Sequence, residues 1–426
     1  MNWFGYEPNS LPFLTNELGS DPNVLPFLAN RFGSNPNSLL FLANSPADML
    51  ARPAKSSIHL HGKGRSQRWM VNHRSTRNFK PMKQLSARYI LVVALAGGST
   101  AAHAQIGGRA AFPFLSLPPS AQLAASGGMN ASARSSDPTQ FYGNPALLNT
   151  DMDHVAAISY VAYVGNIKQS TAAYAFNTEK RGRFGLGFTY LNYGDLQSFD
   201  AAGNSLGTFG VNEYAFTAAD SYTKGKFTFG VAAKLAVSSI ADNRAVALAG
   251  DAGVLYKPGE QDFTVGLVVK NAGYMLKPYI AMGRQPLPLD VQLGTTIKPE
   301  HMPLRFTITA HHLQQWNIQY LDPNDRGTTN AAGDTVRASK NFADNLARHF
   351  TVGAELILGA GFRVRAGYNH LQARELRLDN TSGAAGFSFG AMLKISQFQL
   401  DYTHATLQAA GSSNYFTLSR RFGAKP

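Results

Sequence analysis

From residue 155 to the C-terminus, apolar residues alternate with small or polar ones in segment after segment, the period of a strand with one greasy face. Phe227, Phe229, Val231, Ala233, Leu235 and Val237 interleave with Thr228, Gly230, Ala232, Lys234, Ala236 and Ser238. Phe184, Leu186, Phe188 and Tyr190 do so with Gly185, Gly187 and Thr189, and Leu304, Phe306, Ile308 and Ala310 with Arg305, Thr307 and Thr309. Phe362, Val364, Ala366 and Tyr368 stand opposite Arg363, Arg365, Gly367 and Asn369. A soluble sandwich alternates too, so periodicity alone leaves two architectures open.

The connections separate them. The pattern predicts about fourteen strands of roughly ten residues, enough for a tilted strand to cross hydrocarbon. They fall near 155–164, 168–177, 183–193, 211–222, 226–239, 246–257, 262–271, 289–298, 303–311, 348–358, 361–370, 384–395, 398–406 and 413–422. Connections after even strands are short (223–225, 258–261, 359–360), whereas several after odd strands are long (194–210, 272–288, 312–347). Short turns on one rim and long loops on the other mark an outer-membrane barrel. The last segment, Tyr415-Phe416-Thr417-Leu418-Ser419-Arg420-Arg421-Phe422, is expected to close the ring against the first strand. An open edge in hydrocarbon would leave backbone groups unsatisfied at about several kcal/mol each.

Composition agrees: 40 Gly, 27 Phe and 17 Tyr accompany only 15% charged residues, too little charge for an ordinary soluble surface and too many aromatics for disorder. The absence of cysteine excludes disulfides, thiolate metal sites, a cysteine nucleophile and a lipidated N-terminal cysteine. Much of the net charge of +13 lies between residues 52 and 104, which hold ten Lys or Arg and no acid. No basic helix with base-stacking aromatics accompanies the charge, and nucleic-acid binding is set aside.

That basic stretch contains an export signal. Met82-Lys83-Gln84-Leu85-Ser86-Ala87-Arg88, the apolar run Tyr89 to Ala96 and Ala102-His103-Ala104 form a signal peptide over 82–104, cleaved between Ala104 and Gln105. The run is too short for a membrane-spanning helix, which needs about twenty residues. Upstream, Leu11, Leu25 and Leu39 recur with period fourteen, as do Phe13, Phe27 and Phe41, a spacing too short for a solenoid unit. Residues 1–81 are expected to be a non-native upstream extension. An organelle transit peptide over the acid-free stretch 52–88 is the competing reading.

Fourteen strands enclose more space than wall side chains can fill, since about eight suffice for that. Residues 105–150, rich in Gly, Ser, Pro and Ala, are the expected plug, and 151–426 the barrel.

Within that plug, Phe114-Leu115-Ser116-Leu117-Pro118, Ser136-Asp137 and Gly143-Asn144-Pro145-Ala146-Leu147-Leu148 resemble the N-terminal hatch of FadL-like barrels. The resemblance makes Asp137, Asn144, Pro145 and Ala146 the plug motif. Further stretches are similar to the PorQ family of the type IX secretion system: Asn192-Tyr193-Gly194, Gly203-Asn204-Ser205-Leu206-Gly207-Thr208-Phe209, Leu287-Pro288-Leu289-Asp290-Val291-Gln292-Leu293-Gly294 and His311-His312-Leu313-Gln314-Gln315-Trp316-Asn317. Arg348-His349-Phe350, Gly353-Ala354-Glu355-Leu356 and Gly367-Tyr368-Asn369 belong with them. The likeness covers nearly all of residues 105–422 and implies a bacterial outer-membrane component of cell-surface attachment. It implies partnership with the surface protein PorZ and with PorU and PorV, alongside membrane lipid. The first 81 residues have no counterpart in that family.

Candidate chemistry is sparse. No H-E-x-x-H, G-x-S-x-G or nucleotide-binding glycine motif follows the signal, and neither an enzyme nor a cofactor or metal is expected. On a strand, His311 and His312 would point to opposite faces, with Trp316 beyond them in the interfacial belt. Glu355, Arg363 and Arg365 are expected to face a watery lumen. Long loops favour a scaffold for a surface partner. A FadL-like channel for hydrophobic small molecules is the alternative.

Overall fold

The computed structural model describes residues 110–178, 182–200, 202–259, 262–279, 284–319, 328–329, 335–336, 341–376, 384–408 and 411–422. The extension over 1–81, the signal over 82–104 with Ala104 and Gln105, and the first residues of the plug lie outside them.

Fourteen antiparallel strands close into one ring. They are β1 (Val155–Ala162), β2 (Lys168–Thr178), β3 (Gly182–Phe199), β4 (Ser205–Lys224), β5 (Phe227–Ile240), β6 (Asn243–Tyr256), β7 (Phe263–Lys277), β8 (Asp290–Ile297) and β9 (Leu304–Ala310), followed by β12 (Phe350–Ile357), β13 (Phe362–Asn369), β14 (Phe387–Ile395), β15 (Phe398–Gln408) and β16 (Gly411–Arg421). The two-residue strands β10 (Thr328–Thr329) and β11 (Thr335–Val336) pair only with each other, in the long connection between β9 and β12. Each strand expected from the alternation is present. The seam closes as expected, with Val155 opposite Arg421 and Ala162 opposite Asn414.

Alternation decides which surface each side chain reaches. On β5, Phe227, Phe229, Val231 and Leu235 are exposed on the outside while Gly230, Ala232, Lys234 and Ala236 are buried within. Outward aromatics pair directly across neighbouring strands: Phe188 with Phe216, Phe227 with Tyr256 and Tyr402 with Phe416, at 4.8, 4.9 and 5.0 Å between ring centroids. These contacts knit the outer surface without polar groups. A closed ladder under an apolar surface suits lipid, because no sheet edge is left open, and where the register shifts a side chain takes over, as Asp251 does for Asn271 N. Among the described residues no helix is long and apolar enough to cross a membrane.

The principal difference from the sequence reading concerns the first long loop. Residues 194–210, expected as a loop, are largely the tops of β3 and β4, which pair from Asp195 opposite Gly210 to Phe199 opposite Ser205. Register shifts at Asn192/Asp195 and Ser198/Phe199 absorb the irregularity. Glycines at 194, 203, 207 and 210 made this stretch read as a loop, yet Leu196 and Phe209 pack against the buried interior and hold the arm. β7 likewise runs on to Lys277, shortening the second loop.

Candidate functional site

The segment from Ala110 to Asp153 occupies the lumen and crosses it from one rim to the other. At the long-loop rim, Ala111 N donates to Pro286 O in the β7–β8 connection, and the Phe112 ring stacks on Tyr279 at 6.5 Å. Midway, Ala121 N donates to Thr417 Oγ1 (2.9 Å) and Thr403 Oγ1 donates to Ala121 O (2.8 Å). Towards the short-turn rim, Thr264 Oγ1 donates to Ser132 O, and Ser221 Oγ to Leu148 O. The chain then turns at His154 and enters β1.

Lumenal glycines make this path possible. A side-chain carbon built on Gly230 would collide with Ala146 N, one on Gly253 with Asn144 Oδ1, one on Gly266 with Ala131 O and one on Gly367 with Gly127 N. The small residues of the inward face thus form a groove complementary to the plug backbone.

Asn144, fully buried, caps the 3-10 turn Pro145–Leu147. Its Oδ1 accepts from Ala146 N (2.9 Å) and its Nδ2 donates to Ala131 O (2.8 Å). Asp137 caps the turn before it, accepting from Thr139 N and Thr139 Oγ1 at 2.9 and 2.7 Å. Burial, reinforced by the nearby charge of Asp401, pushes the Asp137 carboxyl up to about 6 against those hydrogen bonds and Arg365. The plug-motif residues therefore meet different walls: Asn144, Pro145 and Ala146 lie on β5 and β6, while Asp137 stands near β15. A buried relay joins them, with Asn130 Nδ2 donating to Gln140 Oε1 (2.7 Å) and Asn130 Oδ1 taking the N–H groups of Ser132 and Ala133.

Near Asp137 the wall carries a charge cluster. Glu355 accepts from Arg305 (2.7 Å) and Arg365 (2.9 Å), with Arg363 at 3.5 Å, and Arg365 also grips Asp401, which takes a further hydrogen bond from Gln399. The three residues expected to face the lumen, Glu355, Arg363 and Arg365, come together in this cluster. Arg305 and Asp401 join from strands distant in sequence. A second buried group, Lys234 with Asp251 (2.7 Å) and Asn271 (2.8 Å), sits where the β6–β7 register shifts between Gly250 and Ala252. Nothing in the local sequence marks that shift; the only signal was a lysine on an otherwise small-residue face.

Above these polar layers lies an apolar cluster, whose Tyr163 and Tyr193 hydroxyls donate to the buried Gln169 and Glu213. Phe112, Phe114 and Leu117 of the plug pack against Tyr163, Tyr193, Met275, Leu287 and Tyr415.

The histidine geometry corrects the sequence reading. His311 and His312 do not face apart: their Nδ1 atoms lie 2.6 Å apart, because β9 ends at Ala310 and His312 takes a left-handed φ of 55°. His312 N then donates to Asp290 Oδ1 (2.7 Å), and His349 Nδ1 bonds His311 O (2.8 Å). Among the described residues no group of three or more His, Asp or Glu is arranged to hold a metal.

A closed fourteen-strand ring, an apolar outer surface and a lumen filled by the preceding segment define a bacterial outer-membrane β-barrel. No family model matches the chain, and no curated protein matches it. Among solved structures it is similar to the toluene transporter TodX of Pseudomonas putida, at 12% identity and TM-score 0.44 over 70% of this chain and 97% of that one. A FadL homologue of Pseudomonas aeruginosa (11%, 0.40, over 71% and 98%) and the KdgM porin (5%, 0.28, over 63% and 99%) are similar as well. With every one of these scores below 0.5, the strand order and register define the class.

Proposed function

We propose that this barrel is a non-enzymatic component of the type IX secretion and surface-attachment machinery, of the PorQ kind, anchoring a surface partner of the PorZ type together with PorU and PorV. One observation carries the scaffold part: the plug is bonded to the wall on β4, β7, β13, β15 and β16 and packs apolar side chains into the upper lumen, which makes the long-loop rim the working surface of this reading. The PorQ-like stretches add support. Those at 287–294, 311–317 and 348–350 meet on that rim, where Leu313 N donates to Val291 O and His349 Nε2 bonds Trp316 O. Deleting the gene is expected to abolish surface display of type IX cargo while the other components stay in the membrane; normal display rejects the reading.

A second reading, a FadL-like channel for hydrophobic molecules, is favoured by the apolar cluster in the upper lumen, where a water-filled barrel would be mostly polar. Uptake of a hydrophobic compound that depends on this protein, with cargo display intact, would select it.

A further inference from the structure

The short helix Phe342–Arg348, in the connection leading into β12, is inside out for a segment in water. Its buried residues are Asn345 and Arg348, while Phe342 is 69% exposed and Leu346 39%. The polar side is turned towards the protein. Asn345 Oδ1 accepts from Ile318 N (3.1 Å) and its Nδ2 donates to Trp316 O (2.6 Å). Arg348 donates to Asp344 (2.8 Å), which also faces His370 (3.2 Å) and Arg374 (3.0 Å) on the neighbouring helix His370–Glu375.

The apolar side is continuous with the lipid-facing wall. Phe342 and Leu346 are four apart, on one row of the helix, and Phe350 follows where the chain enters β12. Phe350 is the first outward position of β12, and Val352 the next. Trp316, 55% exposed, lies against Phe342 at 5.5 Å between centroids, and exposed Leu313 is tied to the wall through Val291.

We propose that residues 311–319 and the helix Phe342–Arg348 rest on the outer leaflet, with Phe342, Leu346 and Trp316 set into lipid at the boundary between headgroups and acyl chains. Continuity with the barrel's lipid-facing surface identifies the occupant. A segment with aromatic and aliphatic side chains on one face and polar groups on the other lies in that plane. Seven residues are too few for a helix to stand alone, so the polar contacts of Asn345 to Ile318 and Trp316 and of Asp344 to His370 and Arg374 hold it in place. This part of the connection is then anchored in the membrane.

The sequence offers a clean test, because tryptophan occurs only at 3, 69 and 316 and cysteine is absent. With Trp3→Phe and Trp69→Phe in the full chain, Trp316 is the sole indole. In phosphatidylcholine vesicles, lipids brominated near the top of an acyl chain should quench its emission by at least about twofold, and aqueous iodide should barely quench it. Strong iodide quenching with no effect of brominated lipid overturns the proposal. So does an indole open to iodide in vesicles but shielded in isolated outer membranes, which would assign the patch to a protein. A nitroxide on Phe342→Cys gives a second readout: collisions with oxygen should exceed those with a water-soluble nickel complex, and the reverse order overturns the assignment.

Discussion

Gly253 on β6 leaves the room that Asn144 of the plug fills: a side-chain carbon at 253 would come within 2.0 Å of Asn144 Oδ1. Asn144 cannot retreat, because its amide is committed to Ala131 O and Ala146 N. Gly253→Val should therefore displace the plug without opening the barrel, whose ladder it leaves intact. Single-channel conductance in a planar bilayer should rise well above that of the parent. Heat-modifiable migration on a gel, the sign of a closed barrel, should persist.

The Asp137 carboxyl gives the plug a pH dependence. Its folded pKa of about 6 lies above the ordinary value of 3.8, so its contribution to stability is fully present below about 3.8 and is lost as pH rises through about 6. Thermal midpoints in detergent should fall between pH 4 and pH 7 in the parent. In Asp137→Asn that fall should shrink, because the amide never ionises.

Arg365 stands between Glu355 and Asp401, both buried. Replacing it with Leu strands Asp401, whereas Glu355 keeps Arg305 and Arg363, and should cost about 3–5 kcal/mol in urea unfolding. Removing Asp401 as well should recover part of that loss, since one uncompensated charge goes with it.

The two faces of β5 should respond oppositely to charge. Leu235→Arg, mid-strand on the lipid side, should reduce stability by about 2–4 kcal/mol and slow insertion into vesicles. Neighbouring Lys234 already carries a charge inside, where Asp251 pairs with it. Swapping the charge across one peptide bond thus reads out which face meets lipid.

Much of the ring is written in the chain itself. Period-two alternation is local, so Phe227 to Val237 announces a strand and tells which residues share a face, and the aromatic last segment announces the closing seam. The lumenal position of Glu355, Arg363 and Arg365 follows from the same period.

What tertiary structure alone decided are the places where local rules yield to distant partners. Residues 194–210 read as a loop until Leu196 and Phe209 find the buried interior. His311 and His312 read as facing apart until the strand ends one residue early. The route of the plug was invisible because it depends on Gly230, Gly253, Gly266 and Gly367, which share a groove only once the ring has closed. The exposed side chains Phe342, Leu346 and Phe350 acquire meaning only beside the lipid-facing wall they extend. A side chain's face is set by its nearest neighbours in sequence, whereas what it touches is set by closure of the whole cylinder.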